Sequence, residues 1–300
     1  MTILGIETSC DETSLGIYHN GVLQQKVFSQ EIHNVYGGVI PELASREHVK
    51  ALKDLYSFLP ENIDLIGVTL LPGLPGPLMT GLNFAKNLSF FQKIPLIGIH
   101  HLHAHLEIIH YTQQVSYPYF GVVVSGGNTC FYEVSSPFSF QLLEKTEDDA
   151  IGEAFDKGGK LLGLGYPAGH KIDALARKGS FIKNLFTLPK HNLSFSGFKS
   201  ALSRIKDLHS IEDLATTYEK CLIDHLAQRI HHYKPKNIVF GGGVSLNSYL
   251  RESFPHAHFT EKEYCSDNGA MIAWLAFLQQ EKKVHFPDSL SINKDNFSTN

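Results

Sequence analysis

The stretch "PLIGIHHLHAHLEIIHY" places four histidines within six residues, His100, His101, His103 and His105, with His110 soon after. Following a short apolar run, this segment is expected to be helical, and helical residues four apart share a face. His101 and His105 form such a pair; His100 with His103 is the i,i+3 alternative. Two imidazoles one turn apart suit a metal site. Leu102 stands where a HExxH peptidase carries its glutamate, so the general base of that chemistry is missing. A two-histidine site needs a third ligand, most commonly a carboxylate. The candidate is Asp267, polar at the start of the apolar segment "SDNGAMIAWLAFLQQE". Spacing alone equally allows Asp267, or Ser266, to be a plain helix N-cap.

Three further stretches have the character of anion sites. "ETSCDET", "SGGNT" and "GGGVSLN" each follow an apolar strand-like run. Glycine lets the backbone approach a ligand, and successive N–H groups can cradle a phosphate or carboxylate. Three such turns at strand ends point to a nucleotide or acyl-phosphate site, although each could be a tight turn and nothing more. No GK[ST] follows the glycines, so none is a Walker A loop. In "EDDAIGEAFDKGGKLLGLGYPAGHKID", Asp156 and Asp173 lie near glycines, as acids that hold ribose hydroxyls do; a solvated helix face is the plainer alternative.

These residues need elements to position them. The run Ile3–Ile6, the turn "ETSCDETS", then "LGIY" and "GVLQQKVF" read as strand, turn, strand, turn, strand. "PELASREHVKALKDLYSFL" has helical spacing over 41–59, with Pro41 suited to the first turn. "IDLIGVTL" reads as a buried strand, "PGLPGPLMTG" as a loop, "LNFAKNLSFF" as a helix and "PLIGI" as a strand. The pattern then restarts. "YFGVVVSGGNTCFYEV" matches "ILGIETSCDETSLGIY" in outline, a hairpin with a polar turn repeated about 120 residues on. "NIVFGGGVSLNSYLRESF" reads as strand, turn, helix. Strands alternating with helices predict an α/β fold, and the duplicated hairpin predicts two similar domains facing a cleft.

Composition bounds the rest. A chain of 300 residues suggests about two domains. No run of 18 apolar residues occurs, and the N-terminus lacks a basic n-region, so neither a membrane span nor a secretory signal is expected. The four cysteines are widely spaced without a CxxC, which speaks against a disulfide framework or thiolate zinc site and for a reducing cytoplasm. Net charge is −4, yet residues 157–206 hold ten lysines and arginines against one acid, +9, leaving −13 elsewhere. That asymmetry suits a basic face for a polyanion, or a solvated helical face.

Taken together, "GIETSCDETSLGIY", "YGGVIPELASREHVK", "HHLHAHLE", "VVSGGNT", "GEAFDKGGKLLGLGYP", "LSFSGFKSAL", "GGGVSLNSYLR" and "YCSDNGAMIA" run from residue 3 to about 275 in an order that closely resembles the TsaD family. The resemblance implies a two-lobed α/β ASKHA fold, the actin, Hsp70 and sugar-kinase architecture, with duplicated hairpin-first domains around a cleft. It implies an N-terminal lobe over 1–107, on which a helix at about 268–283 packs back. A C-terminal lobe over 108–267 follows, with a basic helical insertion at about 145–206, and a polar tail spans 284–300. The implied activity moves a threonylcarbamoyl group from threonylcarbamoyl-AMP to N6 of adenosine 37 in tRNAs reading codons that start with A. His101, His105 and Asp267 look like ligands of one divalent metal ion, Fe(2+) with Zn(2+) as the alternative. Val123, Val124, Ser125, Gly126 and Gly127, with Asp156, Gly169, Asp173 and Asn247, look like the adenylate site. Asp11 and Glu12 match acidic family positions near the reaction centre. Lys178, Lys183, Lys190, Lys199 and Arg204 are the candidate tRNA contacts. Implied partners are tRNA, a TsaB-like paralogue and a TsaE-like ATPase, without a membrane, in the cytoplasm. Asn128 stands where the family usually has histidine, which implies altered contacts there. An ASKHA phosphotransferase would leave the HxxxH and aspartate set surplus, and a non-catalytic TsaB-like scaffold would lack those histidines. The missing HExxH glutamate speaks against the family's old glycoprotease label.

Overall fold

The computed structural model describes residues 1–186, 189, 192–285 and 290–291. In chain order, the first part forms β1 (Thr2–Glu7), β2 (Glu12–His19), β3 (Val22–Ser29), α1 (His33–Tyr36), α2 (Pro41–Leu55), β4 (Leu65–Leu71), α3 (Pro75–Gln92), β5 (Leu96–His100), α4 (His101–Glu107) and α5 (Ile109–Thr112). Next come β6 (Tyr119–Val124), β7 (Thr129–Ser136), β8 (Ser139–Lys145), α6 (Ile151–Leu161), α7 (Gly169–Ala176), α8 (Ser196–Ile205) and α9 (Ile211–His232). The chain continues through β9 (Ile238–Gly241), α10 (Ser248–Ser253), β10 (His258–Phe259) and α11 (Gly269–Leu278). Contacts divide it into two compact units: Met1–Gln114, Ser136–Ser139 and the described part of Ser266–Asn300 in one, Val115–Ser135 and Phe140–Cys265 in the other.

Each unit is built on a five-stranded sheet, and the two strand orders are the same. The first runs β3-β2-β1-β4-β5 and the second β8-β7-β6-β9-β10. The opening hairpin is antiparallel in both, and the later strands add in parallel: β4 beside β1, β5 beside β4, β9 beside β6, β10 beside β9. The repeat visible in the sequence is thus a repeat of topology. The central strands β1 and β6 are buried at every residue, as strands with neighbours on both edges and covered faces must be.

The helices follow their apolar periodicity. α2 buries Ala44, His48, Ala51 and Leu52 on one face. α3 begins at Pro75, earlier than its apolar spacing suggests, because Pro75 and Pro77 sit in the first turn, where a helix needs no N–H donors. The "PGLPGPLMTG" loop is shorter by that much. Beyond α11, Val284 exchanges backbone hydrogen bonds with Leu96 at the start of β5, which ties down the start of the C-terminal segment. All four cysteines are free thiols. Among the described residues no helix is long and apolar enough to cross a membrane.

α11 is apolar all round and packs on β1, β2, β4 and α4. Its N-cap is Asn268, whose Oδ1 accepts from the Met271 N–H at 2.8 Å. The expected caps, Ser266 and Asp267, are two residues and one residue too early. The helix start lies directly on the β1–β2 hairpin, where Gly5 and Gly16 are register partners. A Cβ at Gly5 would fall 2.2 Å from the Gly269 carbonyl oxygen, and one at Gly16 would fall 2.1 Å from the Gly269 carbonyl carbon. Ser14 Oγ accepts the Gly269 N–H at 2.8 Å and fixes the seat. Gly16→Ala is therefore expected to destabilise the protein by about 3 kcal/mol, since the clash is with backbone that cannot rotate away. Gly197→Ala, where an added methyl meets nothing, is expected to be neutral or stabilising by up to about 1 kcal/mol. Denaturant unfolding of both variants against the parent checks the pair.

Candidate metal centre and substrate-binding turns

β5 ends at His100, and α4 begins at the next residue, so one turn of helix carries His101 and His105 side by side. Asp267 precedes the α11 cap by one residue and reaches both rings. His105 Nε2 lies 3.0 Å and His101 Nε2 3.3 Å from Asp267 Oδ1. The three ligand atoms all lie within 4.8 Å of one another. Ligands about 2.1 Å from a shared ion stand about 3.0–3.4 Å apart in octahedral or tetrahedral geometry. The two separations to Asp267 match that spacing, so these residues can hold a metal ion, with both Nε2 atoms and one carboxylate oxygen as donors.

Sequence reasoning missed the residue behind His101. Glu7, fully buried at the end of β1, accepts the His101 Nδ1–H at 2.9 Å on Oε2. Thr69 Oγ1 donates to the same oxygen at 2.6 Å, and the Ser9 N–H donates to Oε1 at 2.5 Å. The available signal was an acid in an otherwise apolar central strand. Burial alone would raise the Glu7 and Asp267 carboxyls; the charge of His101 outweighs it and holds both below the usual carboxylate range. Burial likewise opposes charge on His101, but Asp267 and Glu7 together raise it well above an ordinary imidazole. His105 is lowered by burial, and its Nδ1 has no hydrogen-bond partner. His100 and His103 stand apart from this set, their rings stacked with centroids 3.8 Å apart, and burial keeps both neutral. Asp11 and Glu12 lie at the turn into β2. Burial, then the adjoining Asp11 charge, raises the Glu12 carboxyl well above its ordinary value, and the two side chains are hydrogen-bonded.

The remaining predicted positions fall in the second unit. Val123 and Val124 are buried strand residues; Ser125 and Asn128 close the turn, leaving Gly126 and Gly127 exposed. The turn is flanked by Gly152 at the start of α6 and Gly242 after β9, where a Cβ would strike the Ser125 and Val124 carbonyl oxygens. Asp156 Oδ1 accepts the Ala168 N–H at 2.7 Å, just ahead of Gly169 at the start of α7. Asp173 Oδ2 accepts from Ser248 N and Oγ at 3.2 and 2.9 Å, while its buried Oδ1 has no hydrogen-bond partner. Asn247 caps α10 with Oδ1 and donates from Nδ2 to Glu219 at 2.5 Å. Lys178, Lys183, Lys199 and Arg204 are exposed and, among the described residues, form no ion pair. Lys190 lies outside the described residues. Elsewhere in the basic segment, charge is already paired: Lys157 with Asp149 and Glu153, Arg177 with Asp173 and Glu252.

Burial raises the Glu219 carboxyl from 4.5 to about 7. Its folded value lies above its unfolded one, so ionisation opposes folding, and stability is lost as pH climbs through about 7. Glu219→Gln keeps the acceptor for Asn247 and removes the charge. Relative to the parent, it is expected to gain about 2–3 kcal/mol in unfolding free energy between pH 5 and pH 8. Urea unfolding at the two pH values checks it.

Comparison with known proteins completes the picture. Residues 21–274 match the family profile described as TsaD, tRNA N6-adenosine threonylcarbamoyltransferase. The tRNA N6-adenosine threonylcarbamoyltransferase of Sulfurihydrogenibium sp. is 39% identical, over 94% of this chain and 92% of its own. That of Mycoplasmopsis synoviae is 42% identical, over 94% and 99%. In fold, the chain is similar to the activator of 2-hydroxyisocaproyl-CoA dehydratase from Clostridium difficile (TM-score 0.61, 14% identity, 94% and 96% covered). It is also similar to full-length HypF (TM-score 0.60, 12% identity, 93% and 46% covered). The architecture is the ASKHA fold, and the chain belongs to the TsaD family of tRNA N6-adenosine threonylcarbamoyltransferases.

Proposed function

We propose that this chain transfers the threonylcarbamoyl group of threonylcarbamoyl-AMP to N6 of adenosine 37 in tRNAs reading codons that begin with A. Family membership makes it a tRNA N6-adenosine threonylcarbamoyltransferase. The observation that carries the fuller reading is the convergence of His101, His105 and Asp267 on one point. Two imidazoles and one carboxylate with open positions suit Fe(2+), with Zn(2+) the alternative. A divalent ion held there supplies a template and Lewis acid for the carboxylate or carbamoyl oxygen of the donor.

This chain's residues do the rest. The Ser125–Gly127 turn offers exposed backbone to the phosphate, and Val123 and Val124 fix it from the core. Asp156 and Asp173 receive the ribose hydroxyls; Oδ1 of Asp173 makes no hydrogen bond, although Arg177 Nε lies 3.6 Å from it. Gly169 and Asn247 shape the two helix starts beside them. In the transfer, the N6 nitrogen bonds the carbamoyl carbon, the bond from that carbon to the phosphate oxygen breaks, and AMP leaves. The proton lost from N6 passes to the Asp11–Glu12 pair, whose ionised member accepts it. An anticodon loop presents its base at small unstacking cost. Lys178, Lys183, Lys190, Lys199 and Arg204 meet the tRNA backbone. We place the enzyme in the cytoplasm with a TsaB-like paralogue and a TsaE-like ATPase.

Reconstitution with partners, tRNA, threonine, bicarbonate and ATP is expected to yield threonylcarbamoyladenosine by nucleoside mass spectrometry; its absence with active partners sinks the reading. His101→Ala combined with His105→Ala is expected to abolish metal uptake and cut product formation at least about 100-fold. Lys199→Glu with Arg204→Glu is expected to weaken tRNA binding about tenfold or more at physiological salt and to flatten its salt dependence. Unchanged binding across a salt series excludes this basic face.

A further inference from the structure

We propose that Glu7 is a positioning residue of the metal centre: its carboxylate holds His101 in the tautomer that turns Nε2 toward Asp267 and places negative charge behind the ion. This rests on the metal reading above. The geometry is specific. His101 donates from Nδ1 to Glu7 Oε2 at 2.9 Å, with Ser9 Oγ farther from the same nitrogen at 3.3 Å, while its Nε2 lies 3.3 Å from Asp267 Oδ1, so Nδ1 faces the acid and Nε2 the aspartate. A carboxylate behind a ligating histidine fixes ring orientation and raises ligand basicity.

Glu7 has little other reason to be where it is. It is fully buried on the central strand, and among the described residues no lysine or arginine pairs with it. An uncompensated carboxylate in such a place is strongly unfavourable. Its compensation comes from the Ser9 N–H, the Thr69 hydroxyl and the His101 ring. Two of those donors are fixed, so the acceptor must be a two-oxygen carboxylate. A glutamine here presents either its oxygen or its amide to His101. In the first case the amide faces the Ser9 N–H; in the second the ring is pushed to the opposite tautomer. His105 has no equivalent support, since its Nδ1 is unpartnered. Ligand orientation in this centre is therefore concentrated on one histidine and on the acid behind it.

The test uses the full chain, stripped of metal with a chelator and titrated with Zn2+ alone against a chromophoric competitor. Glu7→Gln is expected to weaken Zn2+ binding by about 10- to 100-fold, and Glu7→Ala by at least as much. Glu7→Gln is nearly isosteric, so it keeps the measurement possible should Glu7→Ala fail to fold. Metal-free Glu7→Gln is expected to keep a cooperative thermal transition, so that its lost Zn2+ affinity is read on a folded chain. Equal Zn2+ affinity in parent and Glu7→Gln overturns the role of Glu7 and leaves the metal site standing. A parent chain that binds no Zn2+ overturns the metal reading, and with it this one.

Discussion

The contact on which the first unit depends is between backbones, not side chains. The first turn of α11 lies on the β1–β2 hairpin at a point where both register partners are glycine, Gly5 and Gly16, and where the helix itself begins with Gly269. No Cβ could stand at any of the three without striking main-chain atoms. Such an approach fixes the helix to within fractions of an ångström, because neither surface has a rotamer to yield. Asp267 sits two residues before that seat and takes its position from it. The same hairpin carries Glu7 at the end of β1, and α4 packs against α11. One glycine-lined seat therefore sets ligand, supporting acid and histidine helix together, which is the tolerance a metal site of a few tenths of an ångström requires.

The duplicated topology shows how such a seat is specialised. Aligned on Gly5 and Gly121, the two hairpins share their register, and the partner of each glycine is Gly16 in one and Tyr132 in the other. By the same alignment Glu7 corresponds to Val123. The second hairpin thus lacks both the bare surface for a helix backbone and the buried acid. What it has instead is an exposed pair of glycines, Gly126 and Gly127, beyond the strand end. One scaffold has been turned to two uses by changes at a few strand positions, a set of side chains that can hold a cation in one copy and an open backbone turn in the other.

Much of this could be read from residue order. Strand and helix periodicity, the repeated hairpin and the i,i+4 histidines are local signals, and the structure places them as local physics predicts. α3 starts earlier than its apolar spacing predicts because prolines that usually break a helix are tolerated in its first turn. The sequence points to Ser266 or Asp267 as the cap of α11, yet Asn268 takes it, while Asp267 is engaged by histidines 162 and 166 residues away, a tertiary demand that no local pattern carries. Glu7 escaped notice for the same reason. Its neighbours in sequence say only that an acid ends an apolar strand, and its partners, Thr69 on β4 and His101 at the start of α4, lie 62 and 94 residues away.

The electrostatics of the centre give this arrangement its direction. Glu7 and Asp267 bring two carboxylates into a nearly dry site, answered in the metal-free protein by the raised His101 alone. His101 is thus raised by two acids that it holds low in return, and Asp267 stands just ahead of a helix N-terminus, which favours its charge. Such a site suits a cation, which would take the place of a proton at His101 Nε2. The replacement keeps the Nδ1–H bond to Glu7 intact, so the supporting acid does the same work before and after. Folding and ion binding are then linked through one ring, with the fold preparing the geometry and the cation relieving the charge that the geometry concentrates.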